Sequence, residues 1–189
     1  MTERRGSKRG SKPKAKFLSP EVLHRACKAV AKIDSKAVLV GGYALQAFGS
    51  RRLTGDLDVL VAEVPDDVKA LKRLSFGGIR AVVGGVPTDF IARDDEVADL
   101  YEEARLAAIK VSGFALRVVP PEYILVLKIW AGRPKDDSDV ATILGWDIDR
   151  KKTLEVAKRY LGLVAARDLK QVMDIADWKR SRGIADDDE

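Results

Sequence analysis

The sequence predicts an α/β (α+β) protein, with strands and helices mixed over residues 17–119 and helices alone over 120–183. Three observations carry that expectation. Short apolar runs bounded by glycine or proline recur up to Val119, as strands do. Helix-like stretches with apolar residues three and four apart separate them. Pro120-Pro121 then closes the last strand pattern, and only helical periodicity follows.

Ser19-Pro20-Glu21 has a capping residue, a proline at the first helical position and an acid in the first turn. The helix it opens is expected to run to about Asp34 and to bury Val22, Ala26, Ala29, Val30 and Ile33. Ala37 to Val40 is a short strand ending at Gly41-Gly42, and a short helix over Tyr43 to Phe48 starts from the glycines. A second strand runs from Asp56 to Ala62, and a helix is expected from Asp66 to Leu74. Arg80–Val83 and Pro87–Ala92 form a hairpin around Gly84-Gly85. Asp94-Asp95 leads a helix through about Ala107. Ile109–Val111 and Phe114–Val119 form a last pair of strand pieces around Ser112-Gly113. Helices are then expected at Pro121–Ala131, Asp137–Gly145, Arg150–Leu161 and Ala166–Arg182. A junction between such halves is a common place for a ligand cleft.

Composition narrows the chemistry. Of the 189 residues, 46% are hydrophobic and 33% charged, the balance of a globular protein. No apolar run reaches the ~18 residues that span a bilayer; the run from Tyr123 to Leu127 stops at Lys128. The basic first residues lack the apolar stretch of a secretory signal. Cys27 is alone, which rules out an intrachain disulfide, so a reducing cytoplasm is the expected location. One cysteine and one histidine (His24) also exclude a Cys/His zinc cluster. Any metal must therefore be held by carboxylates, which suits Mg²⁺, with Mn²⁺ as the alternative.

The net charge of +5 is unevenly placed. Residues 1–16 form a basic arm carrying Arg4, Arg5, Lys8, Arg9, Lys12, Lys14 and Lys16, expected to be disordered. Such an arm either solubilises the chain or contacts a nucleic-acid backbone. Residues 184–189 form an acidic tail.

The most informative residues are aspartates inside strand patterns. Asp56 and Asp58 alternate in an apolar strand, so period-2 geometry puts both on one face. Two carboxylates about 5–7 Å apart repel by a few kcal/mol at an effective dielectric near 20. Aspartate is also disfavoured in strands, so the arrangement reads as a cation site. Asp89, in Thr88-Asp89-Phe90, is a third strand aspartate; together they make a carboxylate triad able to hold two Mg²⁺ ions. Gly41-Gly42, between a strand and a helix, lets backbone N–H groups approach a phosphate.

Gly41-Gly42, then Asp56-Leu57-Asp58, then Asp89 resembles the DNA-polymerase-β-type nucleotidyltransferase superfamily. The stretch from Gly41 through Arg52-x-Thr54-x-Asp56-Leu57-Asp58 is similar in particular to its minimal bacterial branch, which includes nucleotidyltransferase toxins of AbiEii type. Downstream, Pro121-Glu122-Tyr123, Lys128 and Arg133-x-Lys135-Asp136-x-x-Asp139 extend the likeness over residues 36–144. The resemblance implies a small mixed-sheet nucleotidyltransferase core followed by an all-helical subdomain. It implies two metals on Asp56 and Asp58, with Asp89 completing the site. It also implies NTP (ATP among the candidates) seated on Gly41 and Gly42, with Arg51 or Arg52 on the triphosphate and Lys128 turned toward the nucleotide.

Lys128 has a second account, as a lysine snorkelling from an apolar helix to solvent. Arg133, Lys135, Asp136 and Asp139 read either as part of the site or as a surface ion-pair set with a helix cap, and they stay outside the expected catalytic group. Tyr43 follows Gly42 where many relatives place a serine after a single glycine, so backbone and arginines carry more of the phosphate contact. His24 reads as a surface or partly buried residue. The implied acceptor is RNA, a tRNA 3′ end, and the implied partner a cognate antitoxin protein. The alternatives are a small-molecule or protein acceptor, or a nucleotide- or RNA-binding module without turnover.

Overall fold

In the computed structural model, which describes residues 17–183, a six-stranded mixed sheet carries helices and is followed by a helical region. The basic arm and the acidic tail lie outside the described residues. Helix α1 (Pro20–Ile33) starts as expected, with the Ser19 carbonyl accepting from the Val22 and Leu23 N–H groups. Its buried face is turned from the expected one: Leu23, Ala26, Cys27 and Val30 are buried, whereas Val22, Ala29 and Ile33 are only half-buried. The alanine-rich sequence supports two adjacent stripes, and the one bearing Leu23 and Cys27 faces the sheet. His24 is half-buried, as anticipated.

Strand β1 (Val38–Val40) leads into α2 (Gly41–Gln46), and β2 (Leu57–Leu60) begins one residue after Asp56. The helix expected over Asp66–Leu74 is absent. Val68, Leu71 and Leu74 mimic helical spacing, but the segment is a turn followed by edge strand β3 (Lys72–Arg73). Pairing decides it: Leu71 N–H donates to the Arg80 carbonyl and Leu74 N–H to that of Gly78. Strands β4 (Ile79–Val83) and β5 (Val86–Ile91) form the expected hairpin. Gly84 (φ 59°) and Gly85 (φ 81°) supply the two positive φ angles that a tight two-residue turn requires.

Helix α3 (Ala98–Leu106) follows. The last strand pair shrinks to a single Ile109–Val118 bridge and β6 (Arg117–Val118), which lies parallel to β1. The sheet order is β3-β4-β5-β2-β1-β6, with β2 parallel to β5 and antiparallel to β1.

Helix α4 (Pro121–Ala131) is buried around its whole circumference from Tyr123 to Lys128, packed against α3, α5 (Asp137–Leu144) and α6 (Arg150–Ser181). The two final helices expected from the sequence are both present within α6, which breaks at Gly162 (φ 87°, ψ 175°), next to the expected end at Leu161. One cluster of buried apolar side chains extends from α1 through the sheet to α4 and α6, so the α/β and helical halves share a core.

Candidate active site

A single row across the sheet forms the floor of the main cleft. Val40 faces Asp58, Asp58 faces Asp89, Asp89 faces Arg80 and Arg80 faces Lys72, across β1, β2, β5, β4 and β3. Directly opposed residues share a face of a sheet, and all five line one cavity of about 440 Å³. That volume suits a nucleotide-sized ligand.

Asp56 joins the row from the turn before β2. Thr54, itself buried, donates from Oγ1 to Asp56 Oδ1 at 3.0 Å and so orients the carboxylate. Asp89 is 5% exposed, and Arg80 holds it from both sides, with Nε at 2.5 Å from Oδ1 and Nη2 at 2.7 Å from Oδ2. The same Nη2 reaches Asp56 Oδ2 at 3.4 Å.

Among the described residues, Asp58 has no such partner. Burial first, then the fields of Asp56 and Asp89, push its pKa up to about 7, against a smaller pull from Lys135 and Arg133. Burial is the larger cause, and the two neighbouring carboxylates add to it. Three hard oxygen donors at one end of a sheet fit a divalent cation in kind. As they stand, among the described residues no group of three acidic, histidine or cysteine side chains is drawn together as a ready metal cage. The Arg80 guanidinium sits on two of the three carboxylates instead.

Gly41 is required by this packing. It adopts φ +73°, and a Cβ there would lie 2.1 Å from Asp58 Oδ2. A Cβ on Gly42 would press on Thr54 Oγ1 at 3.2 Å. Gly41→Ala should therefore displace the Asp58 carboxylate, lowering affinity for a ligand of this cleft at least about tenfold and stability by about 1–3 kcal/mol. Titration with Mg·ATP and urea unfolding check this; a variant with ordinary stability and affinity would show that the glycine serves only the turn.

The second wall comes from the helical half. Lys128 is 7% exposed and does not snorkel: its Nζ donates to Asp136 Oδ1 at 2.9 Å and to Asp139 Oδ2 at 2.5 Å. Asp139 also accepts from Arg52, and Asp136 accepts from Arg133 Nε at 2.6 Å. Asp136 occupies the N-cap position of α5 without capping it, because its carboxylate is committed to these cations. The Asp136 carboxyl nevertheless stays below its ordinary range, since hydrogen bonds and charge from Lys128 and Arg133 overcome its burial. Of the ambiguous set, the buried Asp136 and Asp139 thus join Lys128 to the exposed Arg52 and Arg133 in one ion-pair network on the cleft wall, and the exposed Lys135 lines the cleft outside it. Arg51 is exposed and does not line it, so of the two candidate arginines Arg52 is the one in the site.

The remaining wall was not anticipated. Arg93 lies over Tyr101 at 4.7 Å and over Phe76 at 5.5 Å from the ring centres and pairs with Asp95. Arg93, Tyr101 and Phe76 line the cleft together with Trp130. Seven basic residues and four acidic ones face it in all, an excess that favours a polyanionic ligand.

Among solved structures, the chain is similar to an antigenic nucleotidyltransferase-like protein from Paracoccidioides brasiliensis, with a TM-score of 0.51 and 17% identity. The match covers 84% of this chain and 95% of that one. The fold is nucleotidyltransferase-like. At this identity the likeness is one of architecture. No family model matches the chain, and no curated protein does. Within that fold, the structure brings Gly41, Gly42, Asp56, Asp58, Asp89, Arg52 and Lys128 to one cleft.

Proposed function

We propose that this protein is a metal-dependent nucleotidyltransferase that moves an NMP from an NTP to an acceptor hydroxyl and releases pyrophosphate. The observation that carries the proposal is the row of Asp58, Asp89 and Arg80, with Asp56 beside it, on the floor of a cation-rich cleft in a nucleotidyltransferase-like fold. In the reaction, an acceptor oxygen forms a bond to the α-phosphorus, and the α–β bridging bond breaks to give pyrophosphate. Asp56 and Asp58 would hold two Mg²⁺ ions (or Mn²⁺), with Asp89 completing the site. When bound, such ions supply charge neutralisation at the attacking and leaving oxygens.

The chain's own groups do the rest. Gly41 and Gly42 leave backbone room for the β- and γ-phosphates, and Arg52 and Lys128 supply positive charge on the opposite wall. The attacking hydroxyl would pass its proton to the carboxylate of Asp89, which lies mid-row between Asp58 and Arg80. Thr54 keeps Asp56 turned into the cleft throughout.

For the acceptor we favour RNA, a tRNA 3′ end, by likeness to the minimal bacterial branch. That branch also suggests a toxin acting in the cytoplasm with a cognate antitoxin. No helix among the described residues is long and apolar enough to cross a membrane. The excess of basic over acidic lining argues against a pocket for cationic antibiotics, which would need acidic walls.

The test is incubation with Mg²⁺, each α-labelled NTP in turn and total tRNA, with Asp58→Asn as the control. Label on tRNA from one or two NTPs, lost in the variant, is expected. Label on the protein or on an added partner instead would move the acceptor to protein. Nucleotide binding without any transfer would leave a binding module.

A further inference from the structure

Arg80 spends its charge on the very carboxylates that a metal would need. Its guanidinium takes both oxygens of Asp89, at 2.5 and 2.7 Å, and reaches Asp56 at 3.4 Å. A planar guanidinium paired to a carboxylate in this way uses the in-plane lone pairs that a hard cation would otherwise take. Arg80 and a divalent cation therefore compete for Asp89.

Four of the other six cleft cations are tied to acids outside the row, Arg93 among them through Asp95. Lys128, Arg52 and Arg133 are tied to Asp136 and Asp139, outside the row. Arg80 has Asp89 and Asp56 as its only partners among the described residues, and its side chain is 31% exposed to the cleft. It stands on β4, next to Lys72 on the edge strand, and its side chain takes no part in the backbone pairing that holds the sheet. A cation seated on the carboxylates repels the displaced guanidinium, while a triphosphate in the same cleft attracts it.

We propose that Arg80 is an exchangeable internal counter-cation, bound to Asp89 and Asp56 at rest and transferred to the nucleotide's triphosphate when metal takes the carboxylates. The inference rests on the carboxylate site proposed above. Its consequence is a pair of effects of opposite sign. Removing Arg80 frees Asp89 for metal, and it deprives the nucleotide of a phosphate contact. A purely structural arginine would weaken both kinds of binding.

The experiment measures Mn²⁺ binding to the nucleotide-free protein by the loss of the free-ion electron paramagnetic signal. It then measures ATP-analogue binding at saturating Mn²⁺ by calorimetry, using α,β-methylene ATP. Wild type, Arg80→Ala and Arg80→Lys are compared, with thermal melts to show that each is folded. Arg80→Ala is expected to bind Mn²⁺ roughly tenfold tighter and the analogue roughly tenfold weaker. Arg80→Lys, which keeps a charge but not the two-pronged geometry, should fall between on both.

Mn²⁺ binding that depends on Asp58 but is no tighter in either variant would overturn the exchange and leave the metal site standing. Mn²⁺ binding absent from all three proteins, or unaffected by Asp58→Asn, would overturn the metal site itself.

Discussion

Asp58→Asn should abolish the proposed transfer, by roughly 10³-fold or more, while making the metal-free protein more stable above pH 7. The two effects have one cause. Asp58 lies between Asp56 and Asp89 on the cleft floor, and its pKa is raised from an ordinary 3.8 to about 7 by burial and by those two neighbours. The folded chain thus keeps the Asp58 proton up to about pH 7, whereas the unfolded chain gives it up near pH 4. Between those values the native state binds more protons, so stability falls as pH rises through the window and stays reduced above it. Asparagine has no proton to lose and removes that slope.

At pH 5, about one unit into that window, the difference should be less than half of its full size. At pH 8 the variant should gain about 2–4 kcal/mol as an upper range. Urea unfolding at both pH values in chelator measures this difference, in which the other carboxylates cancel. An equal gap at pH 5 and pH 8 would show that Asp58 is not desolvated as placed here. A loss of both activity and stability would make the residue structural.

Lys128→Met should cost about 2–4 kcal/mol, because it leaves Asp136 and Asp139, 3% and 2% exposed, without their shared ammonium. The residual partners, Arg133 and Arg52, would be drawn deeper onto the two carboxylates and away from the cleft. Nucleotide affinity should therefore fall more than the loss of one surface lysine implies, by roughly tenfold or more. Urea unfolding and analogue titration measure the two effects. A stability loss under about 1 kcal/mol would mean that the ammonium reaches solvent and the network is a surface one. Adding Asp139→Asn to Lys128→Met should recover part of the stability but none of the binding.

The helix opened at Ser19-Pro20, the Gly84-Gly85 hairpin, the Pro120-Pro121 boundary and the bounds of α4 all appear in the structure close to where local chemistry put them. Arg80 was legible too, in principle. A two-residue turn at Gly84-Gly85 pairs Val83 with Val86, and counting outward places Arg80 opposite Asp89. Nothing local marked the other errors. Val68, Leu71 and Leu74 have helical spacing, yet the edge of β4 claimed the segment as β3. Lys128 looked the same whether it snorkelled or paired.

The linear chain alone pointed to Asp56, Asp58 and Asp89, to the glycine turn before them, and to the change from mixed to helical structure. Those features rest on period-2 alternation, on glycine's freedom and on proline's missing N–H, all of which act within a few residues. Tertiary structure decided which charges answer which. That Arg80 neutralises Asp89 and not a surface acid follows from β4–β5 register. That Lys128 faces Asp136 and Asp139 follows from the docking of α4 against α5. Electrostatic partnership depends on distance in space and on exclusion of water, and neither quantity exists until the sheet and helices have packed.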